Sequence, residues 1–178
     1  MAAGEWSKIG ELSRPVLRAS PRLQEAMLFL AIAEDHGGSE ARADRLWARL
    51  ERVTRENINR GNSRAQQWHY LGWALFGQGH VDGAGAAWRD LVRTMGPDEN
   101  QYNRVCYLAL AGETEAAMAE WENLTEAPGG FDLRWARVDP DLNGLRDDPR
   151  FEAARLRGIR WQRERQRVEP EAEAEIAI

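Results

Sequence analysis

The sequence predicts an all-helical protein built from repeated helix pairs. Ala, Leu, Arg and Glu dominate its composition, and it lacks the long alternating runs of Val, Ile and Thr that are typical of strands. A pattern of two short helices joined by a Gly-centred turn recurs along the 178 residues. Recurrence of such a unit every 34–41 residues is typical of stacked repeats that share one continuous core. We therefore expect an α-solenoid.

The first predicted element is a short helix within residues 1–19. Trp6, Ile9 and Leu12 recur at three-residue spacing, which is compatible with one helical face. Pro15 is expected to stop this helix. We expect the segment to cover the exposed end of the repeats that follow.

The first helix pair is predicted over about residues 22–57. Ser20-Pro21 has the character of an N-cap followed by the first helical residue, and the helix is expected to run to His36. Gly38 lies in the turn, and Ser39 is expected to cap a second helix. That second helix is extended, with several additional residues around 54–62.

Two further copies of the pair are predicted, over about residues 63–96 and 98–127. The second copy lies 41 residues after the first, and the matching residues are Leu30-Ala31 with Leu71-Gly72, Gly38 with Gly79, Ala43 with Ala84, Trp47 with Trp88, and Leu50 with Leu91. The third copy comprises Tyr102, Val105, Cys106, Ala109, Gly112, Ala117 and Trp121. Its first helix lies 34 residues after that of the second copy and its second helix 33, which suggests that one turn residue has been lost.

The second copy identifies a family resemblance. It reads Trp68-x2-Leu71-Gly72-x2-Leu75, Ala84-x3-Trp88 and Pro97. This pattern resembles the tetratricopeptide repeat (TPR), and the resemblance covers about residues 22–127. It implies a right-handed α-solenoid of about three TPR-like helical hairpins with N- and C-terminal capping helices. The chain departs from the family pattern at Leu75 and Glu34, where a tyrosine is usual, and at Pro97, which lies one residue late.

The C-terminal part of the chain follows a different pattern. Asp139-Pro140 and Asp148-Pro149 each read as a cap followed by the first residue of a helix. Residues 128–167 are similar to the closing segment of bacterial TPR arrays, which would cover the apolar face of the last repeat. Glu occupies alternate positions of 168–178, and we predict a disordered acidic tail there.

Candidate catalytic chemistry is sparse. The three histidines occupy different repeat positions, and no phosphate-binding glycine loop or nucleophile motif is present. Cys106 is the one cysteine and is expected to be a packed core residue. We therefore predict a non-catalytic protein–protein interaction scaffold, an adaptor or assembly factor, with no cofactor and no metal.

The TPR resemblance implies a concave groove lined by the first helix of each pair. Its predicted lining residues are Leu28, Ile32, His36, Gln66, His69, Trp73, Phe76, Asn100, Asn103, Tyr107 and Leu110. Such an aromatic groove suits a peptide or an amphipathic helix, with Trp73 and Tyr107 as anchors. The alternative is that the terminal segments of the chain itself cover these aromatic residues.

Three other interpretations remain open from the sequence. The array could be a structural subunit, packed permanently in a larger complex or homo-oligomer. Residues 149–168 carry seven arginines against two glutamates, which suggests a nucleic-acid or anionic-surface site at Arg155, Arg160, Arg163 and Arg167. The apolar residues Ile176 and Ile178 suggest a C-terminal peptide motif.

The expected localisation is cytoplasmic. The net charge of −5 provides no general attraction to nucleic acid or anionic lipid, and no apolar run is long enough to span a membrane. Residues 26–33 loosely resemble a signal peptide, but the preceding region is long and acidic residues interrupt it. Lys8 is the one lysine beside many arginines, a bias that favours a bacterial source.

Overall fold

The computed structural model describes residues 3–62, 64–96, 101–126 and 131–176, with side chains from residue 6 to residue 165. Every regular element in those ranges is helical, which confirms the predicted class. The α-helices are α1 (Ala3–Ala19), α2 (Gln24–His36), α3 (Glu40–Asn59), α4 (Ala65–Gly77), α5 (Val81–Thr94), α6 (Gln101–Leu110), α7 (Thr114–Glu126) and α8 (Pro149–Ile176). Short 3₁₀ helices occupy Trp135–Arg137 and Pro140–Leu145. The chain forms two compact units, Met1–Met95 and Gly96–Ile178.

In the first unit, consecutive helices pack on one another. Helix α2 packs on α3, and α4 packs on α5. Each pair also contacts the helix that precedes it, because α1 contacts α2 and α3 contacts α4. Most of the large residues that carried the repeat pattern are buried, among them Trp47, Leu50, Trp88 and Leu91. Burial of these large side chains supplies the apolar contacts that hold each pair together.

The N-terminal boundaries differ from the prediction. Helix α1 continues through Pro15 to Ala19 instead of stopping near the proline. Residues 20–22 are then needed to reverse the chain, so α2 begins at Gln24 with Leu23 as its N-cap. The N-cap predicted at Ser20 is therefore wrong. Ser39 lies at the predicted N-cap position of α3, but its side chain makes no capping hydrogen bond to the helix backbone. The 20 residues of α3 against 14 in α5 confirm the extended second helix.

The turns within the three helix pairs share one hydrogen-bond pattern. In each, a glycine of positive φ donates its N–H three residues back, and the next residue donates five residues back. These glycines are Gly38, Gly79 and Gly112. Because each turn has the same three-residue length, the one-residue difference in the third pair lies in its first helix. The prediction that the third pair has lost one turn residue is therefore wrong.

Close approach of the helices depends on small residues in α4. A Cβ atom built on Gly72 would lie 2.3 Å from Nε1 of Trp88, and one built on Gly77 would lie 2.3 Å from Cε2 of Trp47. Any larger side chain would collide with an indole ring at either position. Glycine is therefore required where two tryptophans pack against α4.

In the second unit, the predicted closing segment packs on the helices that precede it. Helix α8 packs on α7, and the 3₁₀ helix Pro140–Leu145 packs on α6. The Trp121 ring stacks on Phe151 with 4.9 Å between ring centroids, and Trp121 Nε1 donates a hydrogen bond to the Phe151 carbonyl. Asp148 accepts a hydrogen bond from the backbone N–H of Arg150, so the predicted cap at the start of α8 is confirmed. The helix predicted after Asp139 is a short 3₁₀ helix.

The prediction of a disordered tail over 168–178 differs from the structure. Helix α8 continues to Ile176, because an alternation of Glu and Ala that cannot build a core still consists of strong helix formers. Residues 177–178 lie outside the described residues. No described helix has the length and apolarity needed to cross a membrane.

Candidate partner-binding surface

Three aromatic rings on α4 and α5 form one cluster, which we call the aromatic patch: Trp73, Phe76 and Trp88. The centroid of Trp73 lies 6.0 Å from that of Phe76 and 5.8 Å from that of Trp88, and Phe76 lies 5.9 Å from Trp88. Trp88 is buried, Trp73 is half-buried, and Phe76 is 47% exposed. The patch therefore presents an exposed ring on a fixed support.

The other candidates of the first unit border the same core. Ile32 and Trp73 are partly buried and pack against one cluster of buried residues that includes Tyr70. His69 contacts the Tyr70 ring edge-on, with 5.5 Å between centroids. Burial lowers the pKa of His69 to about 4, so this imidazole is neutral at physiological pH.

One predicted groove position on α2 is corrected, and a second contacts α1. Leu28 is 5% exposed and belongs to the core, because α2 is covered on that side. His36 stacks under the Trp6 ring of α1, with 4.4 Å between centroids and an interplanar angle of 11°. His36 nevertheless remains exposed, so α1 contacts this end of α2 without burying it.

The groove candidates of the second unit lie on α6. Asn103 is exposed and Tyr107 is half-buried. Asn100 lies outside the described residues. The predicted anchor Tyr107 and its neighbour Asn103 are placed on the same helix four residues apart, so they lie on one face of α6.

The predicted electrostatic surface on α8 is smaller than expected. Arg155 is buried, and its guanidinium donates to Glu152 with two hydrogen bonds of 2.7 Å, so it is a structural ion pair. Arg160 and Arg163 are exposed, whereas the side chain of Arg167 lies outside the described residues. The guanidinium of Arg165 lies 5.0 Å from the centroid of the Trp161 ring. The arginine-rich sequence suggested Arg155 as part of a charged surface, but it could not reveal that this side chain is buried.

Sequence reasoning missed a buried amide network that joins three helices. Gln24 Nε2 of α2 donates to Thr54 Oγ1 of α3 at 2.7 Å and to Gln67 Oε1 of α4 at 2.9 Å. Asn57 Nδ2 of α3 donates to the side-chain oxygens of both glutamines, at 3.1 and 3.2 Å. The signal available in the sequence was two glutamines at core positions of helices that are otherwise apolar. This network fixes how α2, α3 and α4 meet.

A buried glutamate is a second feature that the repeat pattern did not explain. Glu34 occupies the position of the usual tyrosine, is 5% exposed, and pairs with Arg14 of α1 at 2.8 Å and Arg42 of α3 at 3.0 Å. The hydrogen bond from Arg14 holds the pKa of Glu34 below its usual value. The departure from the TPR pattern at this position is therefore compensated by two arginines.

In the second unit, a buried carboxylate organises the closing segment. Asp139 accepts hydrogen bonds from the Tyr102 hydroxyl at 2.5 Å, the Trp135 indole at 3.0 Å and the Asp141 backbone N–H at 3.0 Å. Burial, reinforced by the charge of Asp139, raises the pKa of Asp141 to about 6. Burial, and secondarily the hydrogen bond to Asp139, also raises the pKa of Tyr102. Asp139 is a structural hub that attaches the closing segment to α6.

No His, Cys, Asp and Glu cluster within the described ranges could hold a metal ion. Cys106 is buried, and burial raises the pKa of its thiol. Ile176 ends α8 with its side chain outside the described set, and Ile178 lies beyond it, so the C-terminal motif stays a prediction. Comparison with protein-family models, curated proteins and solved structures gave no match.

Proposed function

We propose that this chain is a non-catalytic, TPR-like protein-binding scaffold that captures an apolar helix or peptide segment on its aromatic patch. The observation that carries the proposal is the 47% exposure of Phe76 on a support of Trp73 and Trp88. Rigid aromatic side chains supply a large contact area and lose little conformational entropy on binding. They are therefore frequent energetic centres of protein interfaces.

The recurrent helix pairs and their common turn support the TPR-like part of the proposal. The same glycine-centred reversal joins the helices of each pair, and a tryptophan follows it at the same spacing. In such an array the first helices of the pairs line a shared surface, which would include Ile32 and His69. Stacking of the three pairs into one α-solenoid belongs to this proposal.

The chemistry of the patch indicates the kind of partner. His69 is neutral at physiological pH, so this imidazole supplies no positive charge for an acidic peptide, whereas Trp73 and Phe76 offer aromatic contacts. A partner helix with apolar residues at i, i+3 and i+4 fits such a surface. We propose an intracellular adaptor or assembly role on this basis.

Phe76→Glu is the variant that tests the proposal. Nearly half of the Phe76 side chain is exposed, and Phe76 lies outside the buried core, so a charge there removes partner contacts and leaves the core intact. Trp73→Ala is less informative because Trp73 also packs against the core, and its loss lowers stability as well as binding. The matched control is Val81→Glu, which places the same charge on a 62% exposed apolar residue outside the patch.

The measurement is quantitative affinity capture with the full chain, followed by mass spectrometry. A partner retained by wild type and by Val81→Glu, and lost at least about tenfold from Phe76→Glu, supports the proposal. Circular dichroism of all three proteins confirms equal folding. Equal capture by the two variants would show that the aromatic patch is not the binding surface.

A further inference from the structure

Helix α1 carries an apolar stripe that no described part of the first unit covers. Leu12 is 63% exposed and Val16 is 45% exposed, while Ile9 is half-buried. These residues lie at i, i+3 and i+7, so they share one face. Contacts with α2 use other residues: a Cβ built on Gly10 lies 3.4 Å from Ala33, and Arg14 pairs with Glu34. The stripe thus points away from α2.

Internal comparison shows what kind of helix α1 is. The offset of 41 residues that relates Trp47 to Trp88 also relates Trp6 to Trp47, and it relates Ile9 to Leu50. The contacts repeat as well, because Trp6 stacks on His36 and Trp47 packs against Gly77, which lies 41 residues after His36. Helix α1 is therefore equivalent to α3 and α5, the second helices of their pairs.

The equivalent faces of the later helices are covered. In α3, Trp47 is 3% exposed and Leu50 is fully buried, and Val53, which is equivalent to Leu12, is 2% exposed. Helix α2, the first helix of that pair, packs on α3. In the next pair, Trp88 lies against Gly72 of the first helix α4. No helix among the described residues takes the corresponding place beside α1.

We propose that this open face of α1, formed by Ile9, Leu12 and Val16 next to Trp6, is a docking site for a helix of another protein. The internal repeat specifies its chemistry. It is an apolar helix of the α2 and α4 type, with Ala or Gly at the position that meets Trp6. The docked helix would complete a helix pair, as α2 does for α3 and α4 does for α5.

A second copy of α1 fits this face poorly. In the later pairs a tryptophan of the second helix meets a small residue of the first, as Trp88 meets Gly72. From Trp6 onward the glycine of α1 is Gly10, and it already faces Ala33 of α2. The charges of α1 are mixed, with Lys8, Arg14 and Arg18 beside Glu11, which also disfavours an anionic lipid surface.

The experiment uses a probe of known sequence, a fluorescein-labelled synthetic peptide of residues 22–38, which contains α2. Fluorescence anisotropy is recorded as the full-length protein is titrated into it. We expect saturable binding by wild type and at least a tenfold weaker affinity for the Leu12→Glu/Val16→Glu double variant, since two charges replace apolar contacts. Both substituted side chains are exposed, so the fold of the free protein is retained.

Two matched controls make the result specific. Glu11→Lys changes an exposed residue of α1 outside the stripe and should bind the peptide like wild type. In a peptide with Ala31→Phe, the larger ring occupies the space that Trp6 needs, so this peptide should not bind. Peptide binding that Phe76→Glu weakens and the double variant keeps would instead assign the peptide to the aromatic patch.

Three results would overturn the inference. They are the absence of saturable binding, equal binding by the double variant, and binding of the Ala31→Phe peptide with unchanged affinity. Sedimentation of the free protein tests the competing occupant. Self-association that the double variant abolishes would assign the face to a second copy of this chain instead of a foreign helix.

Discussion

At the residue scale, single glycines decide whether helices can approach each other. Gly72 lies under the Trp88 indole, where an added Cβ would be 2.3 Å from Nε1 and 2.6 Å from Cε2. Gly83 of α5 is different, because its added Cβ would lie 3.4 Å from a Leu75 methyl carbon, an ordinary contact. Substitution by alanine should therefore have different effects on stability at the two positions.

We predict that Gly72→Ala destabilises the chain by about 2 kcal/mol or more, because the buried Trp88 ring must move. Gly83→Ala should be neutral or stabilising by up to about 1 kcal/mol, since alanine favours the helix and has room. Urea denaturation followed by circular dichroism measures both free energies of unfolding. Equal effects of the two substitutions would contradict the packing of Trp88 on α4.

Asp141 makes stability depend on pH. Its pKa of about 6 in the folded chain lies above the ordinary aspartate value, so folding favours the protonated carboxyl. The resulting stabilisation is complete below the unfolded pKa and is lost as pH rises through 6. We predict that Asp141→Asn is more stable than wild type at pH 7.5, by up to about 3 kcal/mol.

The comparison is a series of urea denaturation curves between pH 4.5 and pH 7.5. The stability difference between Asp141→Asn and wild type should narrow towards the acid end of that range. Asp147→Asn, at an exposed neighbouring position, is the control and should give a small and constant difference. A gap for Asp141→Asn that does not change with pH would show that burial does not raise its pKa.

At the scale of elements, a polar network sets how three helices meet. Gln24, Thr54, Asn57 and Gln67 satisfy one another in a largely buried position between α2, α3 and α4. Loss of one amide removes a hydrogen bond from each of its partners while their polar groups stay largely buried, which lowers stability.

We predict that Gln67→Leu lowers the free energy of unfolding by about 1–3 kcal/mol, because Gln24 and Asn57 both lose an acceptor. The double variant Gln24→Leu/Gln67→Leu should lose less than the sum of the two single variants. A double-mutant cycle from denaturation curves measures this coupling. Additive losses would indicate that the two glutamines do not interact.

The sequence predicted most helices but few of their polar contacts. Trp47, Trp88 and the turn glycines could be predicted because they recur at a constant spacing, and the packing of the helix pairs requires that spacing. Glu34 and Arg155 could not be placed in this way, because burial of a charge depends on partners distant in sequence, such as Arg14 for Glu34. Trp6 obeys the same 41-residue spacing, yet no helix among the described residues pairs with α1 as α2 pairs with α3, so its role could be inferred only from the contacts of α1.

At the scale of the whole molecule, both candidate surfaces are small. The aromatic patch exposes Phe76, and the open face of α1 exposes Leu12 and Val16. Obligate oligomers bury a much larger apolar area than these side chains provide. The net charge of −5 also disfavours self-association. These features favour an adaptor that meets its partners transiently over a permanently packed subunit.

We therefore predict that the free chain is a monomer at micromolar concentration. Native mass spectrometry at two protein concentrations and two ionic strengths measures the assembly state. The expected spectrum contains a single-chain mass at every condition. A fixed oligomer that persists on dilution would instead favour the structural-subunit interpretation.

The shared turn has a consequence for how the chain can change in length. Gly61, between α3 and α4, has a positive φ, and the same hydrogen bonds surround it as at the turn glycines within the pairs. The backbone thus reverses through the same turn within the three pairs and between the first and second pairs. The helix pairs differ in length through their helices, since α3 is six residues longer than α5 (20 against 14). Turn modules could therefore be exchanged between positions without creating a new backbone geometry.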